Sequence, residues 1–119
     1  MSDIVRNFTV TLVRPDSSEL NQVIELGRAN SATLGFFPEG AFAEHARAGQ
    51  VIACVDAKGT VEGYLLFRVT ANRAVLVHLC VSKFARGKGI ARKLFQQLIE
   101  SGPHYRCQCE LWCRQEWAG

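Results

Sequence analysis

The feature that most restricts the fold of this sequence is a basic, glycine-containing loop between an apolar strand and an amphipathic helix. The loop covers residues 82–88, and the helix opens at Gly89. Glycines allow close backbone approach, and the first N–H groups of a helix lack intrahelical acceptors and carry partial positive charge. Such a junction stabilises an anion. Five cations without an acid among them favour a polyphosphate: Lys83, Arg86, Lys88, Arg92 and Lys93.

Two common phosphate-binding motifs do not fit this loop. Ile90 follows Gly89 where the loop of nucleoside triphosphatases needs Lys and then Ser or Thr. The third glycine of the dinucleotide fingerprint is absent, and the preceding strand is expected in an antiparallel meander rather than in a parallel βαβ unit. Alone, a basic glycine turn is as compatible with a solvated loop as with a phosphate site, so the surrounding elements must decide.

The apolar pattern predicts one α/β domain with the element order β-α-α-β-β-β-α-β. A period of two over residues 8–12 indicates a half-buried strand. A helix should then run to about Ala29, with Asp16 and Glu19 as its capping box. Residues 30–37 are expected to form a loop or a broken helix. The remaining predicted elements are a short helix between Pro38 and Gly49, strands at 51–55, 61–70 and 74–81, a helix from Gly89 to about residue 101, and a fifth strand at 105–113.

Composition limits the class of protein. With 119 residues and 48% hydrophobic content, the chain suits a single hydrophobic core. A formal net charge of +3 is far below that of a dedicated nucleic-acid binder, so no nucleic-acid partner is expected. There is no run of 18 apolar residues and no stretch typical of a signal peptide, so we expect no membrane association and a cytoplasmic location. Five cysteines, an odd number, agree with a reducing compartment.

At the loop the sequence resembles the GNAT superfamily of acetyl-CoA-dependent N-acetyltransferases. The signature of that family is Arg or Gln, two residues, Gly, one residue, and Gly or Ala; Arg86, Gly89 and Ala91 occupy these positions. The resemblance includes the order of elements and the Gly-Tyr-Leu-Leu-Phe stretch at 63–67, and it covers residues 7–115. It implies a GNAT-like acyl-CoA N-acyltransferase fold, whose central, mostly antiparallel mixed sheet is flanked by helices.

The resemblance also implies a binding site for acetyl-CoA as a cosubstrate. Backbone N–H groups of the loop and of the first helical turn would bind the pyrophosphate, while Arg86 and Lys88 would fix the loop or contact phosphate. The pantetheine arm would pair with the main chain at the end of the fourth strand, where that strand diverges from the fifth. The residues implied in coenzyme binding are Leu79, Cys80, Val81, Arg86, Gly87, Lys88, Gly89, Ile90, Ala91 and Arg92.

The implied reaction is direct attack of a neutral primary amine on the thioester carbonyl. A main-chain N–H near Leu79 or Val81 would stabilise the oxyanion. The amine must first lose a proton, and His78, beside the implied thioester site, is the candidate base; an ordinary packed or surface histidine is the alternative. Glu110, on the predicted fifth strand, is a weaker candidate.

The acceptor is not identified by any residue pattern and could be a small molecule or a peptide. Phe36 and Phe37, before Pro38, are candidates for lining an acceptor pocket between the first two helices, and a hydrophobic cover over the sheet is an equal alternative.

Zinc-binding residue types occur near the end of the sequence, but their arrangement favours core thiols. The cysteines alternate on one face of the predicted fifth strand and form no paired Cys-x-x-Cys, so no metal is expected. The residues concerned are His104, Cys107, Cys109 and Cys113.

Complete members of the family continue past the fifth strand with a helix, which often supplies a proton-donating tyrosine, and two more strands. Here the last residue is Gly119, and neither Tyr64 nor Tyr105 matches that tyrosine. A single N-acetyltransferase-like domain at 1–119, incomplete at its C-terminus, is therefore expected. A non-catalytic acyl-CoA-binding or interaction module is the alternative function. An unpaired edge at 105–115 predicts a homodimer or a strand-completing partner there.

Overall fold

Four antiparallel strands and a fifth, parallel strand form one mixed sheet in the order β1-β2-β3-β4-β5. The computed structural model describes residues 8–34, 37–70, 73–101 and 106–107. The predicted fold class is confirmed. The elements are β1 (Thr9–Leu12), α1 (Ser18–Ala29), α2 (Ser31–Leu34), α3 (Glu39–Arg47), β2 (Val51–Val55), β3 (Val61–Thr70), β4 (Arg73–Val81), a 3-10 turn (Lys83–Ala85), α4 (Ile90–Ser101) and β5 (Arg106–Cys107).

The sheet separates two hydrophobic clusters. Side chains in β3 alternate between them: Leu65 packs with α4, whereas Tyr64 and Leu66 pack with α1 and α3. On the α4 face, Leu94 and Phe95 are buried, while Ile99 is 60% exposed. Burial of apolar area on both faces of the central strands drives assembly of the sheet with its helices.

Ser17, rather than Asp16, caps α1. The Ser17 backbone is extended, and its hydroxyl oxygen accepts a hydrogen bond from the Leu20 N–H at 3.1 Å. Asp16 has a φ of 64° and belongs to the turn before the helix. The predicted capping box of Asp16 and Glu19 is therefore wrong, because the turn after Pro15 uses Asp16 in a left-handed conformation and moves the cap on by one residue.

A β-bulge interrupts the pairing of β4 with β3. Leu66 pairs with His78, but the next pair is Phe67 with Leu76, so Val77 has no partner in β3. Leu76 packs on the α4 face, and Val77 packs on the face of α1 and α3. The bulge thus sets the faces of the β4 side chains near the implied thioester site, and a bulge is a common means of redirecting a side chain.

The fifth strand runs parallel to β4, so β4, α4 and β5 form a parallel crossover unit. The expected antiparallel meander of β2, β3 and β4 is confirmed, but the expectation that β4 lies outside a parallel unit is wrong, since β4 belongs to both. Within the described residues, β5 pairs with β4 at Arg73 and Ala74 alone. The rest of the predicted fifth strand, including Glu110, Cys109 and Cys113, lies outside the described residues, as does His104.

No helix in the described part of the chain has both the length and the hydrophobicity needed to cross a bilayer.

Candidate coenzyme and acceptor site

The loop between β4 and α4 has the backbone geometry of an anion-binding turn. Gly87 and Gly89 have φ of 81° and 79°, in the left-handed region that strains other residues. A Cβ added to either glycine would meet nothing within 4 Å, so the space next to the loop is open. The Gly89 carbonyl accepts a hydrogen bond from the Lys93 N–H at 3.0 Å, and α4 begins at Ile90. The N–H groups of that first turn have no acceptor within the helix.

The loop is held at its start by β3. Ser82 is buried, its N–H donates to the Glu62 carbonyl at 2.8 Å, and its hydroxyl donates to the Glu62 carboxylate at 2.6 Å. At Gly63, a Cβ would lie 2.8 Å from Cγ2 of Ile90. The missing side chain therefore lets the first turn of α4 pack directly on β3. Neither Ser82 nor Glu62 carries a local sequence signal, because the two residues meet only across a strand pair.

Arg86 ties the loop to the end of α1. Its Nε donates to the Val81 carbonyl at 3.3 Å, and its Nη2 donates to Oδ1 of Asn30 at 3.4 Å. Asn30 is buried, and its Nδ2 donates to the Leu26 carbonyl at 2.9 Å. Of the two implied roles of Arg86, these contacts fit the fixing of the loop. Asn30 carries no local sequence signal, because it meets Arg86 through the packing of α1 against the loop.

The cations near the loop are not equivalent. Lys83 and Arg92 are exposed, and Lys88 is half-buried. Lys93 Nζ donates to the Phe8 carbonyl at 2.7 Å, so this cation is directed to the start of β1. The predicted positive field at the loop therefore has one cation fewer than the five that were expected. Phe84, which sequence analysis missed, is 87% exposed beside these cations.

Leu79 and Val81 direct their main-chain groups to the edge of β4 that faces β5. The Ser82 N–H bonds to Glu62 in β3, and an antiparallel ladder alternates, so Cys80 also faces β3 while Leu79 and Val81 face the opposite edge. The Arg86 hydrogen bond to the Val81 carbonyl agrees with this orientation. These are the groups that the resemblance assigned to the pantetheine arm and the oxyanion.

The Cys80 side chain is buried on the face of α1 and α3, away from that edge. Burial raises the pKa of the Cys80 thiol to about 11, although the nearby Arg86 charge acts in the opposite direction. The thiol is therefore neutral at neutral pH and is a poor nucleophile, since the thiolate is the reactive form.

His78 is packed inside an aromatic cluster formed with Phe37, Phe42 and Tyr64. Its ring stacks on Phe37 with centroids 5.1 Å apart, lies nearly parallel to Tyr64 at 5.7 Å, and meets Phe42 edge-on at 6.1 Å. Nδ1 is 2.9 Å from the Tyr64 hydroxyl, and Nε2 is buried without a hydrogen-bond partner among the described residues. Burial lowers the pKa of His78, so the ring is neutral at neutral pH.

A cavity of about 270 Å³ lies between α1 and the start of α3, next to the aromatic cluster. Phe37 and Phe42 belong to both, and Arg28, at the cavity, is paired with Glu25 and Glu39. Phe36 lies outside the described residues. The cavity is lined by Ile24, Gly27, Arg28, Ser31, Phe37, Glu39 and Phe42.

A larger cavity of about 510 Å³ lies between β1, the turn before β2 and the C-terminal half of α4. Its lining includes Leu12, Gln50 and Leu98, but neither His78 nor any residue of the glycine loop.

Among the residues that the structure describes, no three His, Cys, Asp or Glu side chains are placed to share a metal ion. Cys54 and Cys80 are free, buried thiols. The side chains of Cys107, Cys109 and Cys113 lie outside the described set.

The sequence profile of the Acetyltransferase (GNAT) family matches residues 14–116. The chain belongs to this family. No curated protein sequence matches it significantly.

Solved structures with similar folds include several acetyltransferases. N-acetylglutamate synthase from Neisseria gonorrhoeae, complexed with coenzyme A and N-acetyl-glutamate, has a TM-score of 0.73 at 13% identity, over 92% of this chain and 27% of that chain. A GCN5-related N-acetyltransferase from Kribbella flavida has a TM-score of 0.64 at 20% identity, over 81% of this chain and 65% of that chain. The chain thus spans less than two thirds of either protein.

An aminoglycoside acetyltransferase from an uncultured soil metagenomic sample, in complex with sisomicin, has a TM-score of 0.67 at 14% identity, over 87% of this chain and 76% of that chain. At these identities the similarity shows a shared fold, and function must be argued from the site.

Proposed function

We propose that this chain binds acetyl-CoA at the loop between β4 and α4 and transfers the acetyl group to a primary amine. The observation that carries the proposal is the pair of positive-φ glycines, Gly87 and Gly89, with open space next to them at the start of a helix. That geometry suits a pyrophosphate, whose negative charge is stabilised by helix N–H groups. The GNAT family to which the chain belongs supports the same assignment.

The coenzyme contacts divide between two main-chain surfaces. The N–H groups of residues 87–92 bind the pyrophosphate, and Lys88 adds charge, while Arg86 holds the loop in shape through Asn30. The edge of β4 at Leu79–Val81 (residues 79–81) binds the pantetheine arm through main-chain groups, because the ladder directs those of Leu79 and Val81 away from β3.

Acetyl transfer needs an activated acyl group, which the thioester of acetyl-CoA supplies when it is bound. The Leu79 or Val81 N–H stabilises the negative charge that grows on the carbonyl oxygen as the amine attacks. His78, one residue before Leu79, is the proposed catalytic side chain. The amine approaches from the face of α1 and α3, where Phe37 and Phe42 line the smaller cavity.

Amine-dependent release of coenzyme A thiol tests this proposal. A panel of alkyl amines, amino acids and peptide N-termini is incubated with acetyl-CoA and the chain, and mass spectrometry identifies the acetylated product. We expect thiol release above background for at least one amine, with a stoichiometric gain of one acetyl group. Coenzyme binding without any amine-dependent release would contradict the transfer and identify an acyl-CoA-binding module.

Two further expectations stay predictions: the homodimer or strand-completing contact at residues 105–115, and the cytoplasmic location. A molar mass equal to that of the monomer in light scattering, across micromolar concentrations, would contradict the first of them.

A further inference from the structure

Three polar side chains, those of Tyr64, His78 and Cys80, form a row within the apolar layer between the sheet and α1. The Tyr64 hydroxyl lies 2.9 Å from Nδ1 of His78, and Cys80 is the cross-strand partner of Tyr64 on the same face of the sheet. Tyr64 is fully buried. A Cβ on Gly27 would stand 2.7 Å from this hydroxyl, so α1 carries a glycine at the place where the hydroxyl needs room.

All three groups of the row are neutral at neutral pH. Burial raises the pKa of Cys80 to about 11, raises that of Tyr64 further above its ordinary value, and lowers that of His78. One proton therefore sits on the sulfur, one on the phenol oxygen and one on the imidazole ring. The ring proton of His78 can lie on Nδ1 or on Nε2.

The relative strength of the two hydrogen-bond acceptors near the Tyr64 hydroxyl decides which nitrogen of His78 is protonated. The Tyr64 hydroxyl has one proton to donate, and its two neighbours are an imidazole nitrogen and a thiol sulfur, which is only a weak acceptor. The hydroxyl therefore donates to Nδ1 of His78, its hydrogen-bond partner among the described residues. We propose that Tyr64 is a positioning residue, which holds His78 in the neutral tautomer with its proton on Nε2.

In that tautomer Nε2 of His78 carries an N–H donor and has no free lone pair. Nε2 has no hydrogen-bond partner among the described residues. A buried donor without an acceptor is rare and costly, and a bound reactant relieves that cost. The consequence for the reaction rests on the proposed function. An acceptor that is present in every turnover is the carbonyl oxygen of the thioester. The uncharged Nε2–H of His78 stabilises the negative charge that develops on that oxygen.

His78 then transfers no proton. The N–C bond forms, the C–S bond breaks, and the sulfur keeps the electron pair of that bond. The proton lost by the amine passes to water, and the thiolate takes one from water. A role as general base would instead require a free lone pair on Nε2 and thus the opposite tautomer.

His45 provides a reference within the same chain. Its Nδ1 lies 3.0 Å from the Phe67 carbonyl oxygen, which can only accept, so Nδ1 of His45 carries a proton. The two histidines are therefore expected in opposite tautomers, which nuclear magnetic resonance distinguishes from the ¹⁵N shifts and couplings of each ring.

The test is a long-range ¹H–¹⁵N correlation spectrum of the labelled wild-type chain at pH 8, assigned with His78→Gln and His45→Gln. We expect protonated Nε2 for His78 and protonated Nδ1 for His45. In Tyr64→Phe the His78 signals should move towards a mixture of tautomers, while Cys80→Ala should leave them in place. A wild-type His78 with its proton on Nδ1 overturns the proposal, whether or not either variant folds.

Kinetics provides the second readout. Glutamine keeps an N–H donor at this position but cannot act as a base, so His78→Gln should retain most of the kcat that His78→Ala loses, which is about a hundredfold. The acid limb of kcat/KM against pH should be the same in wild type and His78→Gln. The donor role is overturned if His78→Gln and His78→Ala lose the same amount of kcat and if the acid limb of the wild-type kcat/KM profile disappears in both variants. Failure of the wild type to form product contradicts the proposed function alone, because the tautomers are observed without turnover.

Discussion

The glycine loop at the start of α4 and the aromatic cluster around His78 lie at neighbouring points of β4 but differ in their physical basis. The loop is exposed and basic, and it is formed by contiguous residues whose backbone is the binding surface. The cluster is largely buried and neutral, and β3, β4 and α3 all contribute to it. The proposed coenzyme site thus depends on local backbone shape, whereas the proposed acceptor side depends on packing. Substitutions should accordingly affect binding in the first region and stability in the second.

The largest expected difference is between two phenylalanines. Phe42 is buried in the cluster, and Phe42→Ala should lower the free energy of unfolding by about 3–5 kcal/mol, because the cavity it leaves does not fully collapse. Phe84 is exposed beside the loop, and Phe84→Ala should change that free energy by less than about 0.5 kcal/mol. Urea denaturation of both variants measures the difference; similar losses would break the contrast between the regions.

Gly63 is the point where the two regions meet. In Gly63→Ala the added methyl would lie 2.8 Å from Cγ2 of Ile90 and 3.2 Å from the Cys80 carbonyl oxygen. Overpacking at this contact should destabilise the fold by about 1–3 kcal/mol and shift the first turn of α4, which also weakens coenzyme binding. Gly40→Ala is the matched control, since nothing lies within 4 Å of its Cβ position in α3. A tolerated Gly63→Ala with unchanged coenzyme affinity would show that β3 does not position the loop.

The smallest expected effect is a pH dependence that arises from the cluster. Burial lowers the pKa of His78 in the folded chain, so the unfolded chain binds the proton more tightly. The stabilisation is complete above the ordinary pKa of about 6.5 and is lost as the pH falls from there through the folded pKa. His78→Gln should show a shallower decrease in Tm between neutral and mildly acidic pH. Parallel Tm profiles for the two chains would exclude His78 as the source.

The loop could be predicted from sequence because its determinants are contiguous. The strand ending at Val81, two glycines and an apolar stripe in α4 carry the signal within twenty residues or so, and the helix start was placed to within one residue. The strand bounds at 51–55 and 61–70 are also as predicted, since stretches rich in apolar and β-branched residues lie between clear turn residues.

The contacts that shape the site could not be predicted in the same way. Asn30 and Arg86 are 56 residues apart, and the hydroxyl of Tyr64 meets both Gly27 and His78 only after α1 has packed on the sheet. The bulge at Val77 leaves no pattern in a strand whose residues are nearly all apolar. Such features depend on tertiary packing, which overrides local preference, as it also does where Ser17 replaces Asp16 as the cap.

Calorimetric titration with coenzyme A tests the central claim most directly. Arg86→Glu with Gly89→Asp removes the contact to Asn30, strains the loop and adds negative charge where the pyrophosphate is proposed to bind. Gly49→Asp is the control, because Gly49 has a comparable φ of 73° and open space at a turn outside the loop. We predict binding to the wild type and to the control, and no detectable binding to the double variant, with all three chains folded by circular dichroism. Unchanged affinity in a folded double variant would contradict the assignment of the loop.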